Sequence, residues 1–198
     1  MKPYDYSKRT GVLPLTWEDF DRLARRLAEL LEPFHPEIIV GLARAGLFPA
    51  TAVACSLRTE LYPARLTRRL NDQVVRDTPE WLVPISPAVA GKIVAVVDEM
   101  TDSGQTLAIA AVQALERGAR QVITASLISH SWAVPAPQLA ALVTDAFVIF
   151  PWDAQVRVDG RWVPHPEVAA GLRAQEKGEE IASGWKSASP HNDNSSGG

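Results

Sequence analysis

The chain has 198 residues, 46% of them hydrophobic, enough for one sizeable core and thin for two. Its formal net charge of -3 gives no basic field, which removes the electrostatic basis for binding duplex nucleic acid or an anionic membrane and directs attention to small-molecule chemistry. A lone cysteine, Cys55, excludes a disulfide framework, no apolar run approaches the roughly 18 residues of a membrane span, and "MKPYDYSKRTG" lacks an apolar signal core, so a soluble cytoplasmic protein is expected.

Thr16 is placed to cap a helix from Trp17 to about Glu32, with Asp19 at the capping-box position and Phe20, Leu23, Leu27, Leu30 and Leu31 on one apolar stripe. Pro33 and Pro36 stop it. Next come a short buried strand, "EIIVGL", a tight loop, "ARAG", and a helix, "LFPATAVACSL", whose Pro49 sits in the first turn, where it is tolerated. Cys55 in that helix reads as a small buried residue. Residues 60 to 66 predict a further strand. The following stretch, "TRRLNDQVVRDTPEWLVPISPAVAG", is polar, proline-rich and without sustained periodicity, which marks a lid between roughly Arg65 and Pro87.

A second strand-loop-helix unit is "KIVAVV", "DEMTDSGQ" and "TLAIAAVQALERGA", closed by Gly118. "QVITASLIS" is another strand, and "DAFVIFPWD" carries an apolar run ending at Pro151. The alternation predicts an α/β fold, a mostly parallel sheet with helices on both faces, in which residues 1–175 form a single domain and ligands gather at the carboxyl ends of the strands. From residue 176 to 198 there is too little apolar content to pack, and a disordered tail is expected.

The chemistry concentrates after Val97. Ser103 to Thr106, "SGQT", opens a helix with exposed amides, a glycine and two hydroxyls, the makings of a phosphate cradle. Asp98 and Glu99 just upstream would repel a phosphate; they suit vicinal ribose hydroxyls or a magnesium ion. A sugar phosphate satisfies both halves.

"VVDEMTDSGQTL" resembles the phosphoribosyl pyrophosphate signature of the type I phosphoribosyltransferases: a buried strand, two acids, two variable residues, then Asp, Thr or Ser, Gly, any residue and Thr. "IIVGLARAGLFPA" is similar to the family's pyrophosphate loop, and "TDAFVIFPWD" resembles the base-binding segment of its xanthine, guanine and hypoxanthine branch. The three motifs cover most of residues 37 to 155. No Walker-type G-x-x-x-x-G-K-[ST] and no G-x-G-x-x-G supports a nucleoside triphosphatase or a dinucleotide-binding reading.

The resemblance implies that Thr101, Asp102, Ser103, Gly104, Gln105 and Thr106 hold the 5'-phosphate, while Asp98 and Glu99 address the ribose hydroxyls and Mg2+. Asp102 takes the place of a general base near purine N7; a helix cap through its carboxylate is the other reading of the same residue. Ala43, Arg44, Ala45 and Gly46 form the pyrophosphate loop, with a strained peptide near Ala43 and Arg44, and Ala45 stands where the family usually has glycine. Phe147 matches the aromatic residue that stacks on the base, the Val148 backbone the group that reads its polar edge, and Asp153 a carboxylate near the purine 2-position. His130 falls where purine-salvage members carry a lysine that donates to the 6-oxo group. Trp132 and Trp152 read as packing residues.

The implied activity is magnesium-dependent transfer of a 5-phosphoribosyl group from phosphoribosyl pyrophosphate to a nitrogenous base, a 6-oxopurine, by a homo-oligomer that uses neither nucleic acid nor membrane. A regulator that binds phosphoribosyl pyrophosphate without transferring it is the alternative. A phosphatase is disfavoured, because Asp98 and Met100 do not supply two carboxylates one residue apart.

Overall fold

The two strands expected to be buried on both faces lie side by side. The computed structural model describes residues 8–67, 69–70, 73–74 and 79–175; the expected signal-free start at residues 1–7, the tail at 176–198 and the lid positions 68, 71–72 and 75–78 fall outside them. In chain order the elements are β1 (Val12–Pro14), α1 (Trp17–Leu31), β2 (Ile38–Leu42), α2 (Leu47–Leu57), β3 (Glu60–Thr67), β4 (Arg69–Leu70), β5 (Gln73–Val74), β6 (Glu80–Val83), β7 (Ile93–Thr101), α3 (Gln105–Glu116), β8 (Gln121–Ser129), β9 (Leu139–Val143), β10 (Phe147–Ile149), β11 (Gln155–Val158) and β12 (Arg161–Pro164). A last helix, α4, covers residues 166–175.

These elements separate into two compact units: residues 16–144, and residues 8–15 with 145–175. The first holds a six-stranded sheet in the order β6-β3-β2-β7-β8-β9, parallel throughout except for β6. All five residues of β2 are buried, as a central parallel strand requires. Ile38, Val40, Leu42, Val94 and Val96 pack with Leu107, Ala110 and Ala114 of α3 on one face, while α2 covers β2 and β7 and packs against α1. Helices thus flank both faces, as the alternation predicts. Leu27 and Leu31 of α1 are wholly buried, and each such side chain contributes roughly 1.5–3 kcal/mol. The capping box is formed: the Asp19 amide donates to Thr16 Oγ1 at 3.1 Å and the Thr16 amide to the Asp19 carboxylate at 3.0 Å. Gly118, at φ 87°, ends α3 with the amides of Gly118 and Ala119 on the Leu115 and Ala114 carbonyls.

Three expectations change. The strand expected to end at Val97 runs on to Thr101, because β8 continues beside it and pairs with Asp98, Met100 and Thr101. The acids therefore sit on a strand, half-buried, and the helix starts at Gln105. Cys55 is exposed, being on the outer side of α2. Parts of the aperiodic stretch are ordered strands: β6 pairs antiparallel with β3, and β4 with β5. No described helix is long and apolar enough to cross a membrane.

The second unit contains the parallel pair β1–β10 and the antiparallel hairpin β11–β12. The apolar run at Phe147 is thus a strand, but it pairs with β1 and stays out of the large sheet.

At the amino end of β7, Glu37 gathers three donors: the Ile93 amide at 3.0 Å, Lys92 Nζ at 3.0 Å and Arg120 at 3.2 Å. The Ile93 amide, with Lys92 and Arg120, holds its carboxyl below the ordinary value of 4.5. A lowered folded-state pKa stabilises above the unfolded value and is lost as pH falls through the folded one. Glu37→Gln is accordingly expected to lower the melting temperature modestly at pH 7, with the gap to wild type closing as the pH is taken below about 4. Turnover at neutral pH should not change.

Candidate active site

At the carboxyl end of β2, residues 43–46 turn the chain into α2. The Ala43 amide donates to the Ala64 carbonyl at 2.7 Å, extending the ladder with β3, and the Ala43–Arg44 peptide is cis. The amides of Leu47 and Phe48 donate to the carbonyls of Arg44 and Ala45 at 3.2 and 3.0 Å. Gly46 is where this turn meets β7: a Cβ there would lie 2.7 Å from Asp98 Oδ1 and 2.5 Å from the Leu42 carbonyl oxygen. The loop expected to face a pyrophosphate and the first expected carboxylate are therefore in contact.

The end of β7 concentrates negative charge in a confined space. The Glu99 amide donates to Asp98 Oδ1 at 3.0 Å. Burial pushes the Asp98 carboxyl above its ordinary value, against the opposing pull of hydrogen bonds from Glu99. Thr101 is 3% exposed, and its Oγ1 has no hydrogen-bond partner among the described residues. After Asp102 and Ser103 the chain passes through Gly104, at φ 84°, which occupies the cap position of α3; the reading of Asp102 as that cap is superseded. Gln105 and Thr106 then open the helix, and first-turn amides have no acceptor within a helix.

A third segment closes over this loop. Residues 130–135, past the end of β8, return along it: the His130 amide donates to the Thr101 carbonyl and the Val134 amide to the Ser103 carbonyl, each at 3.1 Å. The Pro135 carbonyl lies where a Cβ on Gly104 would be. The indole N–H of Trp132 donates to Asp102 Oδ1 at 3.1 Å. Its ring stacks on His130, with centroids 4.3 Å apart and planes at 17°. His130 is 1% exposed, with Nδ1 2.6 Å from the Thr144 carbonyl oxygen. A carbonyl only accepts, so Nδ1 carries the proton and Nε2, which has no partner among the described residues, presents a lone pair in the neutral ring.

The remaining candidates belong to the second unit. Phe147 and Val148 are buried in β10, and the tip of the Phe147 ring packs so closely on Gly171 of α4 that a Cβ there would overlap it. Phe150 and Trp152 stack at 4.8 Å, and the Asp153 amide donates to the Phe150 carbonyl at 3.0 Å.

Residues 15–157 match the model of the phosphoribosyl transferase domain. The chain belongs to this family. A xanthine-guanine phosphoribosyltransferase of Nitratidesulfovibrio vulgaris is 27% identical over 153 residues, 74% of this chain and 87% of that one. The purine phosphoribosyltransferase of Pyrococcus horikoshii is 27% identical, with a TM-score of 0.66 over 76% of this chain and 99% of its own. A hypothetical protein of Neisseria gonorrhoeae solved with bound ppGpp shares the fold at 21% identity, with a TM-score of 0.63 over 85% of this chain and 97% of its own.

In this phosphoribosyltransferase, then, Ala43–Gly46 and Asp98–Thr106 share one end of the first unit, as strand-end loops of a parallel sheet do. Trp132 is the contact that sequence reasoning passed over. Its signal was its place just past a strand end, level with the acidic loop, where an indole N–H has a use that core packing does not require.

Proposed function

We propose that this phosphoribosyltransferase, whose family transfers the phosphoribosyl group of phosphoribosyl pyrophosphate to a base, uses a 6-oxopurine, requires Mg2+ and serves purine salvage in the cytoplasm. The observation that carries the reading is the contact of the 43–46 turn with Asp98 beside the amide-lined start of α3, which supports a common site for pyrophosphate, ribose and 5'-phosphate. The likeness to a xanthine-guanine enzyme supports the 6-oxopurine.

In this reading the hydroxyls and amides of Thr101–Thr106 hold the 5'-phosphate, Asp98 and Glu99 accept from the ribose hydroxyls, and Arg44 with the amides of Ala43–Gly46 faces the pyrophosphate. Adjacent carboxylates fit magnesium, which takes few protein oxygens and completes its shell from substrate and water. Burial raises the Asp98 carboxyl, and a cation held beside it would favour the ionised form. When bound, magnesium neutralises charge on the departing pyrophosphate. Breaking the anomeric bond gives the ribose oxocarbenium character, which the fixed carboxylates stabilise while Arg44 and the loop donors stabilise the leaving anion. Asp102 takes the proton near N7 of the incoming base; Phe147 stacks on the ring, and the Val148 backbone and Asp153 read its edge. His130 has its neutral-form proton committed to Thr144, so direct donation to a 6-oxo oxygen needs the imidazolium.

The test is pyrophosphate release from phosphoribosyl pyrophosphate and Mg2+ with hypoxanthine, guanine, xanthine, adenine, uracil and orotate in turn. Release with at least one of the first three and none with uracil or orotate is expected. Adenine alone would refute the 6-oxo assignment. Tight binding of the sugar phosphate with no base accepted would identify a regulator.

A further inference from the structure

We propose that Trp132 is a positioning residue for Asp102, held in place by His130. The inference rests on the reading above, in which Asp102 meets the incoming base. The indole N–H donates to one oxygen of the carboxylate, Oδ1, at 3.1 Å, which restrains the rotation of the carboxylate. A carboxylate that must take a proton at one atom of a heteroaromatic ring gains from such a fixed orientation.

The indole is itself located by its neighbours. Its face lies on the His130 ring at 4.3 Å. That ring is 1% exposed and pinned through Nδ1 to the Thr144 carbonyl at 2.6 Å, one residue past the edge strand β9. The backbone around it is tied on both sides, His130 to Thr101 and Val134 to Ser103. A buried histidine thus acts as a shelf under a half-buried tryptophan, and the polar edge of that tryptophan reaches the acid. Packing alone would not require the indole nitrogen to face a carboxylate. The same residues explain how a histidine occupies a position where a lysine would be expected to donate: it supports the acid, not the base.

Trp132→Phe keeps the ring face and the stack while deleting the donor. Hydrogen bonds to charged groups are the strong ones, so kcat with the preferred base of the panel is expected to fall roughly ten- to thirtyfold. The KM for phosphoribosyl pyrophosphate should stay within about twofold, because the ties to Thr101 and Ser103 are backbone bonds that the change leaves in place. In an Asp102→Asn background the same replacement should cost nothing further, since the carboxylate it orients is gone. His130→Leu should reproduce the kcat loss through a displaced indole. The indole N–H resonance of Trp132, which should move on Asp102→Asn, reads the contact without turnover.

An unchanged kcat in Trp132→Phe overturns the proposal, as does an equal loss in the wild-type and Asp102→Asn backgrounds, which would mark a merely structural ring. A parallel rise in the phosphoribosyl pyrophosphate KM overturns it too, by placing the effect on the cradle. A wild-type enzyme that accepts no base overturns the functional reading instead, and with it the catalytic meaning of the contact.

Discussion

Replacing Asp98 by Asn together with Glu99 by Gln is expected to reduce pyrophosphate release at least several-hundredfold while leaving the fold intact. The size follows from what preorganised charge at a reacting centre contributes, about 10²–10³ in kcat for a single well-placed group, with two groups removed here. The amides keep the shape and most hydrogen bonds of the acids, but they neither attract a divalent cation nor stabilise an oxocarbenium-like ribose. Stability should move the other way. Burial raises the Asp98 carboxyl, which means that its ionised form costs folding free energy at every pH above its unfolded value, and Asn removes that cost. The double variant should therefore melt no lower than wild type at pH 7. Calorimetric titration with phosphoribosyl pyrophosphate and Mg2+, beside the release assay and a melting curve, checks all three points. Undiminished magnesium-dependent turnover would remove both acids from the site.

Gly104→Ala is expected to cost both stability and substrate. Gly104 sits at φ 84°, and the Pro135 carbonyl occupies the place of an added methyl. The left-handed backbone alone costs an L-residue roughly 1–2 kcal/mol, and the collision forces either the start of α3 or the 130–135 segment to move. Both carry candidate substrate contacts, so affinity for phosphoribosyl pyrophosphate should fall by at least tenfold. Gly118→Ala is the matched comparison: φ is 87°, but the nearest atom to the added carbon is 3.5 Å away. That variant should lose only the backbone term, roughly 1–2 kcal/mol by melting, and bind normally. Equal affinities for the two variants would show that the cradle tolerates displacement.

The parts of this molecule readable from sequence are those whose cause is local. Ile38–Leu42 and Val94–Val97 read as strands because residues buried on both faces must be apolar. Thr16 and Asp19 announce a helix start through bonds three residues apart. The acids and the small-residue loop are likewise close in sequence, so their spacing suffices. What was not readable is set by partners far along the chain. Strand β7 continues through Asp98 and Glu99 because β8 lies beside it. The short strands β9 and β10 carry no periodic signal, and only their neighbours make them strands. Trp132 and Asp102 meet because the segment after β8 folds back onto the one after β7, a return that no spacing rule encodes.

The pairing of β1 with β10 also orders events during synthesis. Val12 and Leu13 lie opposite Phe147 and Val148, and the Phe147 amide donates to the Gly11 carbonyl. A ribosome delivers the β1 residues early and their strand partner β10 late, after the whole of the large sheet has emerged. Contacts this distant in sequence close slowly, because the intervening chain must already be ordered before they are rewarded. The segment that carries the base-binding candidates thus pairs with β1 only after the large sheet has emerged, and a nascent chain arrested before Phe147 would hold the candidate sugar-phosphate loops without it.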